Sequence, residues 1–72
     1  MRLFIANDVL KDYTYGMIVL AAESQDQIVQ VLRDSDLFDV DGKYADNVLG
    51  TYVDHGEVGG GARVISYCWG GA

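Results

Sequence analysis

Residues 17–22, Met-Ile-Val-Leu-Ala-Ala, are the longest unbroken apolar run of the chain, and they restrict its fold more than any other stretch. The run falls far short of the ~20 residues that a membrane-spanning helix needs. In extended form, led by Gly16, it presents apolar side chains on both faces. That suits a central strand covered on each side, or a strand with one face on a helix and the other on a partner. The helix follows at once. Ser24, Gln25, Asp26 and Gln27 have the form of a capping box, in which the serine oxygen accepts from the third backbone amide while the glutamine reaches back. Asp26 in the first turn and Arg33 in the last suit the helix dipole. Ile28, Val29, Val31 and Leu32 then form an apolar stripe at helical spacing, predicting a helix over residues 25–34. So short a helix is stable only when packed on a sheet.

The remaining elements build that sheet. Residues 2–7 read as a strand and 8–15 as a connector, with Val9 and Leu10 turned inward. Residues 34–47 carry acids and Gly42 without periodicity, an irregular loop pinned to the core by Leu37, Phe38, Val40 and Tyr44. A third strand over 48–55 is broken by a bulge at Gly50. Gly56 and Gly59 to Gly61 make a turn, and 62–69 form a fourth strand. The expected fold is α+β: one domain spanning 1–72, a small antiparallel sheet of about four strands with one helix on a face, in the order β-β-α-β-β.

With 72 residues, such a domain buries only about 60% of the surface its unfolded chain exposes. A ligand cavity of ~300 Å³ or more would hollow out much of its core, which argues against a small-molecule enzyme. Cys68, the single cysteine, cannot form an internal disulfide, and the expected setting is a reducing cytoplasm. Asp8 interrupts the N-terminal apolar residues too early for a signal peptide. A net charge of −6 argues against direct nucleic-acid binding, which relies on lysine and arginine neutralising phosphates.

Motifs for chemistry fail on inspection. Asp39, Asp41 and Gly42 match the middle of a calcium loop. With Gly42 at loop position 6, however, Leu37 and Val48 fall at positions 1 and 12, where ligands are required. His55 and Cys68 are too few for a metal site, and a nucleophilic pair of the two lacks an orienting group. Cys68 reads as a small core residue, and His55 as a strand-end residue. Gly59, Gly60 and Gly61 are followed by no P-loop lysine and no helix. No enzyme, cofactor or metal is therefore expected. Tyrosine and tryptophan are enriched at interface cores and also in strands, so Tyr13, Tyr15 and Tyr52 stand open between surface contact and packing.

Charge is the remaining signal. Residues 34–57 hold seven acids (Asp34, Asp36, Asp39, Asp41, Asp46, Asp54 and Glu57) against one base, Lys43, while the flanking segments are close to neutral. Concentrated carboxylates set up a field that a basic partner can feel. The opening Leu3 to Tyr13, followed by Gly16 to Val19 and Ala22 to Ser24, is similar in style to short phage and prophage proteins. Together with the single small domain, the lack of catalytic residues and the clustered acids, it resembles the small phage-encoded inhibitors of bacterial defence, above all anti-CRISPR proteins. That resemblance implies a protein partner in the bacterial host cytoplasm, a CRISPR effector subunit of type I more than of other types. The effector's lysine- and arginine-lined channels hold nucleic acid, and the seven acids are the partner-binding candidates for blocking target DNA recognition there. The alternative is a small acidic interaction or regulatory module, inhibiting another nuclease or host factor through the apolar second strand and the tyrosines. A monomer is favoured, although an exposed edge strand offers a route to pairing two copies.

Overall fold

The computed structural model describes residues 1–71. Strands β1 (Arg2–Asp12) and β2 (Thr14–Ala22) form the centre of a four-stranded antiparallel sheet, with β3 (Val53–Glu57) beside β1 and β4 (Arg63–Cys68) beside β2. The apolar run of residues 17–22 thus belongs to a central strand. One helix, α1 (Ile28–Asp34), packs on β2 and β4, completing the α+β architecture.

Alternation decides the two faces. Phe4, Ala6, Ile18, Leu20 and Ala22 point inward and are buried against Ile28, Val31 and Leu32 of α1 and against Val40, Val48 and Tyr52. Burying each large apolar side chain contributes about 1.5–3 kcal/mol, and this single cluster is what makes so short a helix persist. Their neighbours Leu3, Ile5, Met17 and Val19, in register as the pairs Leu3–Ala21 and Ile5–Val19, are only half-buried on the outer face.

Several boundaries differ from the sequence reading. The connector expected over 8–15 is instead the upper half of a long hairpin. Its turn is Tyr13 alone, at φ 66°, and Leu10 at φ 51° kinks β1 so that consecutive Val9 and Leu10 both face the core. The helix over 25–34 is a 3-10 turn (Gln25–Gln27) running into α1, and neither bond of the capping box forms, because Gln27 reaches one residue past the cap. The Gln27 side-chain oxygen accepts from the Glu23 amide at 2.6 Å, while Ser24 makes no side-chain cap. Residues 48–52 are not strand. Gly50 lies against the Asp8 carboxylate, which accepts the Thr51 amide at 2.9 and 3.0 Å. The bulge belongs instead to β3, where the register slips opposite Arg2 and Phe4, and Gly56 supplies the left-handed backbone at φ 108°.

Candidate protein-binding surface

The acidic segment begins where α1 ends. Ser35 Oγ donates to the Leu32 carbonyl at 2.6 Å and accepts the Leu37 amide at 3.2 Å, and Asp36, at φ 58°, turns the chain away from the helix. Aspartate is among the residues that visit that backbone region most readily, because its short polar side chain can hydrogen-bond locally. The Asp39 carboxylate then accepts the amides of Gly42 at 2.8 Å and Tyr44 at 3.3 Å, closing a tight turn that leads into the 3-10 turn Ala45–Asn47. Buried Val40 and Val48 and half-buried Phe38 anchor the segment to the core. Leu37 and Tyr44, expected to help anchor it, are instead 50% and 59% exposed, because the turn at Asp36 and the Asp39 bonds direct the chain around them.

The seven candidate acids fall into two groups. Asp34, Asp36, Asp39, Asp41 and Asp46 lie together on the helix exit and loop. Asp54 and Glu57 lie on β3 opposite Phe4 and Arg2, at the other end of β1 from Leu10. Among the described residues there are two ion pairs, and each removes one candidate from the free array. Arg33 grips Asp41, and Arg2 grips Asp54 with N–O distances of 3.2 and 2.9 Å. The Arg33 guanidinium holds the Asp41 carboxyl below the usual carboxylate range, and Arg2, helped by the Gly56 amide, does the same for Asp54. Asp39 is occupied by backbone amides, and Asp34 accepts from Gln30 at 2.7 Å. Asp36, Asp46 and Glu57 are exposed without an ion pair.

The sequence reading missed the groove beside this loop. Buried Leu10 and Val48 line its base, and Leu37, Phe38, Tyr44 and Trp69 are among the residues around it, enclosing a volume of about 240 Å³. Trp69 is 51% exposed. The Phe38 ring stands edge-on to Tyr67 at 5.1 Å, tying the loop to β4. The available signal was Leu37 and Tyr44, expected as anchors of the acidic loop, and Trp69, a strand residue of a type enriched at interface cores. Two wider clefts flank α1 and the β1–β3 edge.

The tyrosines divide. Tyr13 and Tyr15 are exposed, whereas Tyr52 is buried and donates its hydroxyl to the Val48 carbonyl at 2.7 Å. Burial, with Asp8 adding to it, pushes the Tyr52 phenol well above its ordinary range. Cys68, expected in the core, is exposed on edge strand β4, on the opposite edge of the sheet from His55 on β3. No group of three or more His, Cys, Asp or Glu is arranged to hold a metal ion among the described residues. No helix among them is long and apolar enough to cross a membrane. Comparison with protein families, curated proteins and solved structures finds no match to this chain.

Proposed function

We propose that this chain is a binding protein whose acidic helix exit and loop, residues 34–47, engage a basic surface on another protein, as an inhibitor of the anti-CRISPR kind. The target that reading implies is the lysine- and arginine-lined channel of a CRISPR effector, with type I complexes first. A duplex carries one phosphate per ~1.7 Å of axis, and an internally braced loop bearing several carboxylates competes for part of the same surface. The observation that carries the reading is that five carboxylates share one segment whose backbone is fixed by its own hydrogen bonds. Two of the seven acids are paired with arginine and two lie at the far end of β1, one of them common to both sets. The working array is therefore Asp34, Asp36 and Asp46, with Asp39 contributing charge from within the turn.

A second reading is favoured by the outer face of the sheet. Half-buried Leu3, Ile5, Met17 and Val19 suit an adaptor or regulatory module that docks by apolar contact. Salt separates the two, because contacts between exposed charges weaken as the screening length falls and apolar contacts do not.

The test uses charge changes that spare the fold. Asp34→Lys with Asp46→Lys, combined with Asp36→Asn to keep the left-handed turn, is expected to abolish inhibition of DNA binding in a panel of purified type I effectors, with an unchanged circular dichroism spectrum. Undiminished inhibition by that variant would rule out the acidic segment. Asp39 is left intact because its carboxylate builds the turn.

A further inference from the structure

The groove beside the acidic loop has a composition, size and rim that specify an occupant. We infer that it receives one bulky apolar side chain from a lysine- and arginine-rich segment of the partner protein. This rests on the reading above that residues 34–47 meet a basic surface, and it adds what that surface must carry.

Three large side chains, Leu37, Tyr44 and Trp69, are each about half exposed and converge on one concavity floored by buried Leu10 and Val48. Tryptophan and tyrosine dominate binding energy at protein interfaces, and here one of each shares a concavity with an exposed leucine. The volume, about 240 Å³, is below the ~300 Å³ at which metabolite pockets begin. It suits a single side chain.

The walls are held in place before anything binds. The Gly70 amide donates to the Leu10 carbonyl at 2.9 Å, next to Trp69. One residue further on, Thr14 Oγ1 donates to the Gly71 carbonyl at 2.7 Å and accepts its amide at 3.0 Å. The Tyr44 backbone is held by the hydrogen bond its amide donates to the Asp39 carboxylate, and Phe38, next to Leu37, by its edge-on contact with Tyr67. Little ordering remains to be done on binding, and that favours affinity.

Charge selects the occupant. Asp39 lines the groove, Asp36 precedes Leu37 in the chain, and Asp46 precedes Asn47. The base of this segment, Lys43, lies over the Tyr44 ring at 5.7 Å. An apolar side chain flanked by bases places its body in the groove and its charges beside the carboxylates. A second copy of this chain, itself at −6, would set acids against acids.

Trp69 is the chain's single tryptophan, so its emission reports on the groove directly. The probes are three short peptides: acetyl-Lys-Arg-Phe-Arg-Lys-amide, the same peptide with alanine for phenylalanine, and acetyl-Gly-Ser-Phe-Ser-Gly-amide. Each is titrated by Trp69 fluorescence and by amide chemical shifts of residues 34–47. The basic phenylalanine peptide is expected to shift Trp69 emission and to bind about tenfold tighter than its alanine analogue. Leu37→Ser is expected to erase that difference while leaving the alanine peptide's affinity unchanged. Equal binding of the two basic peptides with Trp69 unmoved overturns the groove and leaves the acidic surface standing. Equal binding of the uncharged phenylalanine peptide overturns the basic occupant. Binding by neither basic peptide overturns both.

Discussion

Arg33 and Asp41 meet through a forked pair of hydrogen bonds, Nε to Oδ2 at 2.8 Å and Nη2 to Oδ1 at 2.6 Å. The fork clamps the acidic loop to the last turn of α1 and at the same time removes one carboxylate from the surface array. Asp41 thus braces the site more than it recruits a partner. Replacing it with asparagine is expected to speed hydrogen exchange at the amides of residues 39–44 and to lower the melting temperature slightly. It should weaken binding to a basic partner less than Asp34→Lys or Asp46→Lys does. A larger binding loss at Asp41 than at those two positions would reverse the roles assigned here.

Gly16 sits where the end of β4 and the tail beyond it lie against β2. A Cβ there would strike the Cys68 carbonyl oxygen and approach the Gly70 amide nitrogen at 2.8 Å, both of them backbone atoms that cannot swing away. Gly16→Ala is therefore expected to cost about 1–3 kcal/mol, the usual range for overpacking, read from the urea midpoint. Because the same tail positions Trp69, the tryptophan emission of the folded variant should shift as well.

Tyr52 is a core residue with one polar obligation, its hydroxyl on the Val48 carbonyl. Tyr52→Phe keeps the ring and leaves that carbonyl without its donor, so a loss of about 1 kcal/mol is expected in equilibrium unfolding. Tyr13→Phe, at an exposed ring, should leave stability unchanged. Equal effects at the two positions would contradict the division between buried and exposed tyrosines.

Three carboxyls give the chain a defined acid response. Asp8 is lowered chiefly by the Thr51 backbone amide, Asp41 by Arg33 and Asp54 by Arg2. Each folded value lies below the unfolded one, so the stabilisation is complete above the ordinary carboxylate range near ~3.9 and is lost as pH falls through the folded values. The urea midpoint is expected to stay level in its dependence on these groups from neutrality to about pH 5 and to fall below about pH 4. Asp8→Asn should flatten part of that acid limb, and an identical limb in the variant would remove Asp8 from the set.

The parts of the fold legible in the sequence were those fixed by local periodicity. The apolar run around Ile18 and Leu20 declared a central strand, and Ile28, Val31 and Leu32 declared the helix face that covers it. The upper hairpin was illegible because its turn uses Tyr13 and its kink uses Leu10, neither a residue type that announces left-handed backbone. The acids were visible as a cluster, but their partners were not. The Arg33–Asp41 contact depends on how the loop returns over α1, and the Arg2–Asp54 contact on β3 docking against β1 across most of the chain length. The groove stayed hidden for the same reason, since Leu10, Val48 and Trp69 converge only after β4 and its tail close on the hairpin. Cys68 was misplaced because alternation along β4 does not reveal that the strand lies at an edge.

The most direct measurement is capture of this protein on immobilised type I effector complexes, with and without preloaded target DNA, across a rising salt series. Retention by the empty complex, sharply reduced both by bound DNA and by salt, is the expected result. Retention that neither DNA nor salt diminishes, or none on any complex, would contradict occupation of a polyanion's receptor by the 34–47 carboxylates.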